Sequence, residues 1–97
     1  MTYAVHPSAE RDIAEASDFY EERAGIAVAR RFLAEIDRVA KLVNRNPDAG
    51  VPLTKTRRMF HLSVFPYTVV YRMLAGDVQM LVVRHRHRKP SYGMSRR

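Results

Sequence analysis

The chain has 97 residues, enough for one small domain that buries roughly 60 to 70% of its unfolded surface and leaves no material for a second core. With 46% hydrophobic and 28% charged residues, the composition excludes a disordered chain, and the lack of cysteine excludes a disulfide framework or a thiolate metal site. The net charge of +7 is uneven: residues 1–50 carry seven Lys/Arg against nine Asp/Glu, whereas residues 51–97 carry ten Lys/Arg against Asp77 alone. That asymmetry points the second half toward nucleic acid or an acidic protein.

Tyr3–His6 reads as a short strand stopped by Pro7, after which Ser8 caps a helix opened by Glu10 and Asp12, where acids suit the helix dipole. In that helix Ala9, Ile13, Ala16 and Tyr20 fall at helical spacing with Phe19 beside them, and Glu15, Asp18, Glu21 and Glu22 face outward. Gly25 fits a left-handed stop.

Residues Ile26–Asn46 form a second helix, with Ala29, Phe32, Leu33, Ile36, Ala40 and Val43 along one face. The two helices make a hairpin, which Asn46-Pro47-Asp48-Ala49-Gly50 ends; Val51-Pro52-Leu53 follows as an extended loop.

From Arg57 the period becomes alternating, and three strands are expected at about Arg58–Phe65, Tyr67–Leu74 and Val78–His85. Phe65-Pro66 and Ala75-Gly76-Asp77 leave room only for tight turns, hence an antiparallel meander. The expected fold is α+β, order βααβββ: a two-helix hairpin on one face of a small, mainly antiparallel four-stranded sheet, the other face open. One domain spans 1–97, with a short basic tail from about residue 90.

The last strand runs from Leu81-Val82-Val83 into Arg84-His85-Arg86-His87-Arg88-Lys89-Pro90-Ser91-Tyr92, which carries its cations to a sheet rim. Unpaired charge cannot be buried there, so it meets solvent or an anion. Cleaving RNA through its 2′-hydroxyl needs a proton acceptor, cations for the phosphorane and an acid for the leaving oxygen. His85 has a suitable ordinary pKa, Arg84, Arg86, Arg88 and Lys89 suit phosphate, and Tyr92 suits a base or a hydroxyl donor. The plain alternatives are a solvated strand end and a His85 bonded to backbone. A metal at His61, His85 and His87 is not expected among so many cations, nor is any cofactor. Phe19, Tyr20 and Phe32 read as the glue of the helix hairpin, whose exposed parts suit a partner helix.

The element order resembles the RelE/ParE superfamily of bacterial toxins. So do Phe65-Pro66-Tyr67-Thr68-Val69-Val70-Tyr71-Arg72, the stretch from His85 through Arg88 and Pro90 to Tyr92, the phrase Arg30–Leu33 and the Asn-Pro-x-x-Gly break. The resemblance implies a growth inhibitor masked by a cognate acidic antitoxin. A cytoplasmic location is expected from the lack of cysteine, of an apolar run of about 18 residues and of a signal-peptide pattern, and a membrane role is not expected because the cations follow β-type patterning. RelE-like members cut messenger RNA on the ribosome; ParE-like members poison DNA gyrase and are not nucleases. The more concrete expectation is a ribosome-dependent mRNA endonuclease using His85, Arg88, Tyr92 and His61, with Arg58, Arg84, Arg86 and Lys89 on nucleic acid. The alternatives are a gyrase inhibitor and a non-toxic binding relative. Two departures bear on the choice. Arg57, Arg58 and His61 stand on the strand where RelE-like enzymes carry paired lysines, and Thr68 stands where they carry a catalytic arginine.

Overall fold

The computed structural model describes residues 3–97; Met1 and Thr2, within the expected domain, lie outside the described residues. Strand β1 (Ala4–Val5) is short because Pro7 has no N–H for a ladder and a φ already suited to a helix. It starts α1 (Pro7–Ala24). The cap is His6 rather than Ser8: the His6 Nδ1 accepts from the Ser8 backbone N–H at 3.0 Å. Gly25, the one residue between helices, has φ +94° and ψ 166°, positive as expected but extended rather than left-handed helical. Helix α2 (Ile26–Arg45) follows and buries Phe32, Ile36, Val39, Ala40 and Val43.

After a 3₁₀ turn at Pro47–Ala49 the chain departs from expectation. Val51–Pro52, read as a loop, is a strand, β2, paired antiparallel with β3 (Arg57–His61) through Val51↔Met59 and Pro52↔Arg58. Proline is tolerated there because β2 is an edge strand. The sheet therefore has five strands, not four, in the order β1-β5-β4-β3-β2, with β4 at Tyr67–Leu74 and β5 at Asp77–His85. Only the β1–β5 pairing is parallel. β3 also stops four residues short of the expected Phe65, because Leu62 turns inward to 1% exposure and its N–H bonds to the Tyr67 carbonyl. The meander itself is as expected, and Ala75 and Gly76 form its last turn at positive φ.

The helices cover one face of the sheet, where Phe32, Ile36, Val39 and Val43 meet Val69, Tyr71, Val78, Met80 and Val83. The expected open face is not open. Residues 90–97 fold back across it over a second cluster, Val70, Leu81 and Val82 with Met59, Leu53 and Tyr92. Arg57 holds that tail by donating to the carbonyls of Met94 and Arg96 at 2.5 and 2.7 Å. Arg84 donates to the Pro90 carbonyl at 2.5 Å. The tail is thus part of the fold, and its cations are placed by it.

Candidate functional site

At the end of β5 a cleft of about 210 Å³ opens between α1 and the sheet, lined by Glu15, Phe19, Tyr67, His85, Arg88 and Tyr92 among others. His85 stands opposite Tyr67 in register, with the rings 5.2 Å apart and edge-on, on the helix side of the sheet. Its Nδ1 accepts from the His87 backbone N–H at 3.1 Å, which leaves the ring proton on Nε2, and the His87 ring stacks on it at 5.1 Å. Burial, then the neighbouring His87 and Arg88, push the His85 pKa below its ordinary 6.5. The imidazole is therefore neutral at neutral pH.

Tyr92 is held from three sides. Its hydroxyl donates to Asp12 Oδ1 at 2.8 Å, and the guanidinium groups of Arg88 and Arg96 lie 4.4 and 5.1 Å from its ring. The bond to Asp12, with burial, raises the Tyr92 pKa.

Asp12 is the residue that sequence reasoning missed. The sequence presents it only as an acid of the first helical turn suited to the helix dipole, yet it is 7% exposed. Its carboxylate accepts from Tyr92, from Arg96 at 2.6 and 3.1 Å, and from the Val83 N–H at 3.0 Å. The reason is β1's length. Past Val5 the outer edge of β5 has no strand partner, and side chains close it instead: Asp12 takes the Val83 N–H and Arg96 the Leu81 carbonyl, at 3.0 Å. The available signal was position, since Asp12 lies on the Ala9–Ala16 stripe that the helix buries.

The other expected site residues are dispersed. His61 stands opposite Thr68, to whose Oγ1 its Nδ1 bonds at 2.7 Å. Thr68 neighbours Tyr67 on β4, so His61 and His85 lie on opposite faces of the sheet. Arg84, expected to hold phosphate, is 8% exposed, and burial lowers its pKa; its guanidinium donates to the tail carbonyls of Pro90 and Tyr92. Arg86 bonds the Leu62 carbonyl at 3.0 Å. Lys89 is exposed beside Arg88. Arg58 does not join this group at all: it lies three residues down β3 from His61, donates to the Gly50 carbonyl at 2.7 Å, and lines a separate cleft. Of the expected residues, His85, Arg88 and Tyr92 come together. Tyr20 and Phe32 belong to the core, with Phe32 fully buried, and only Phe19 of that aromatic trio is well exposed.

Among the described residues no three His, Asp or Glu side chains converge on a metal-sized site, and no helix is long and apolar enough to cross a membrane. A helix hairpin on a five-stranded sheet with a basic rim defines a small α+β protein of the RelE/ParE architecture. The solved structure titled "Chromosomal ParDE TA system from P. aeruginosa" shares that fold at a TM-score of 0.76, with 18% identity over 88% of this chain and 95% of that one. Toxin ParE2 from two strains of Mycobacterium tuberculosis is 33% identical over 87 residues, which is 90% of this chain and 83% of the relative. Residues 3–90 match the family described as the ParE toxin of the type II toxin–antitoxin system, parDE. The chain belongs to the ParE toxin family.

Proposed function

We propose that this toxin stops growth without chemistry of its own, by binding DNA gyrase in the cytoplasm, and that a cognate acidic antitoxin neutralises it. The observation that carries this reading is the separation of the candidate nuclease groups. His61 and His85 are on opposite faces, the Tyr92 hydroxyl is committed to Asp12, Arg84 is buried, and Thr68 stands where RelE-like enzymes carry arginine. A phosphorane needs several such groups around one atom. The ParE match supports the same side of the superfamily.

The antitoxin has a suitable seat on the helices. Val5, Ile13, Ala14 and Leu33 line an apolar groove, with Leu33 at 42% exposure, and an amphipathic helix from the antitoxin fits such a surface.

One observation favours a second reading, message cleavage: a neutral His85 beside Arg88 in a cleft is an arrangement suited to general base work. Induced expression separates the two. The gyrase reading expects gyrase-linked DNA breaks and lost plasmid supercoiling with intact message ends. Codon-positioned message cuts with normal supercoiling would overturn it.

A further inference from the structure

We infer that the opposite end of the sheet, around the loop between β2 and β3, is a binding site for the phosphodiester backbone of a nucleic acid. A cleft of about 380 Å³ opens there, lined by Thr54, Lys55, Thr56, Arg57, Arg58 and Arg72 among others. It lies at the far end of β4 from the His85 cleft, roughly 17 Å away at the usual strand rise.

Three features make this a place built for an anion. Arg57 and Arg72 are directly opposite on neighbouring strands, a like-charge pairing that costs stability unless something negative sits nearby. Arg57 spends its terminal nitrogens on tail carbonyls, but Arg72 is anchored only through Nε, which donates to Gln79 Oε1 at 2.9 Å. Among the described residues no side-chain nitrogen is both buried and unpartnered, so the two terminal nitrogens of Arg72 face solvent on an oriented fork. The loop that carries Lys55 is also fixed: the N–H groups of Leu53 and Thr54 both donate to the Arg57 carbonyl, and Thr54 Oγ1 accepts from the N–H groups of Thr56 and Arg57. Lys55 is therefore displayed at a defined tip.

Charge neutralisation within the molecule is sparse. Of the ten Lys/Arg beyond residue 50, only Arg58 and Arg96 lie within ion-pair distance of a carboxylate among the described residues. Arg58, on the opposite face of β3 from Arg57 and Arg72, meets the 88% exposed Asp48 at 3.5 Å, a weak pair that leaves the Arg57–Arg72 face without a carboxylate partner among the described residues. Cations with hydroxyls beside them form the usual set for nucleic-acid backbone contacts, whereas protein partners are anchored chiefly by buried aromatic and aliphatic side chains. The site goes beyond the gyrase reading and does not rest on it, because neither gyrase nor ribosome enters the test.

The test is fluorescence anisotropy of the full chain with a labelled short DNA duplex and, in a second arm, a labelled single-stranded RNA, between about 50 and 200 mM salt. The Lys55→Gln/Arg72→Gln double variant is expected to bind duplex more weakly, with a log-affinity against log-salt slope shallower by about 2. An Arg30→Gln/Arg31→Gln control on the exposed side of α2 keeps the wild-type slope. Circular dichroism melts confirm that both variants fold. Whichever arm binds tighter names the source of the phosphates. An unchanged slope in the double variant would overturn the site, and so would displacement by polyglutamate more readily than by either nucleic acid, which would make it an acidic-protein surface.

Discussion

The carboxylate of Asp12 has four hydrogen bonds from three residues in two segments: Val83 on the β5 edge, and Tyr92 and Arg96 of the tail. Its side chain is 4% exposed and that of Arg96 15%, so removing one member leaves the other charge uncompensated. Asp12→Ala should therefore lower unfolding free energy by about 3–5 kcal/mol, read from urea denaturation. Tyr92→Phe, which removes one charge-assisted bond, should cost roughly 1.5 kcal/mol. A loss in Asp12→Ala no larger than in Tyr92→Phe would show that the Arg96 pair adds nothing. His85 supplies the pH dependence at this scale. Its folded pKa is below 6.5, so the unfolded chain binds the proton more readily, and His85's contribution is present above about 6.5 and lost as pH falls through the folded value. Imidazole NMR titration should show His85 midway at a lower pH than free histidine; a midpoint above 6.5 would remove the neutral-imidazole assignment. Asp12 was half legible in the sequence. Its place on the buried stripe was visible, but its partners Tyr92 and Arg96, 80 and 84 residues away, leave no local trace.

Helix and strand periodicity made α1, α2, β4 and β5 readable, because each element buries one face against a neighbour. β2 was not readable, since two residues, one of them proline, carry no period and exist as a strand only through the edge of β3. The tail was missed for a related reason. It buries Tyr92 over the sheet, but its backbone closes in successive turns, Tyr92 N–H to the Lys89 carbonyl, Met94 to Ser91 and Arg96 to Gly93, rather than in a ladder with a pattern. Gly93 shows how closely it lies on the sheet: at φ +75°, a Cβ there would stand 2.7 Å from a Val82 methyl. Gly93→Ala should cost roughly 1–3 kcal/mol through strain and that clash. Ending the chain at Lys89 should do more, because it uncovers Val70, Leu81 and Val82 and opens the β5 edge. The shortened chain is expected to melt earlier, bind an apolar dye and self-associate. A shortened chain with an unchanged melting midpoint would mean that the tail is only draped on the sheet.

Across the whole molecule, the helical half balances its charge locally and the sheet half does not. Glu35 meets Arg38 with bonds of 2.9 and 2.8 Å and Asp37 meets Lys41 at 2.9 Å, pairs one helical turn apart on α2. Residues 51–97 carry ten Lys/Arg against one acid, with two partnered across the fold. The consequence is a division of labour in binding the proposed acidic antitoxin. Long-range attraction from the sheet half should govern how fast the partners meet, and the apolar Ile13–Leu33 groove how long they stay together. In stopped-flow and chase experiments, raising salt should slow association steeply while barely changing dissociation. Leu33→Glu should accelerate dissociation yet leave the salt slope of association nearly intact, since it alters one charge against a large opposite field. If Leu33→Glu left dissociation unchanged while loss of sheet cations accelerated it, the antitoxin would be seated on the basic face, and the helix groove would have another use.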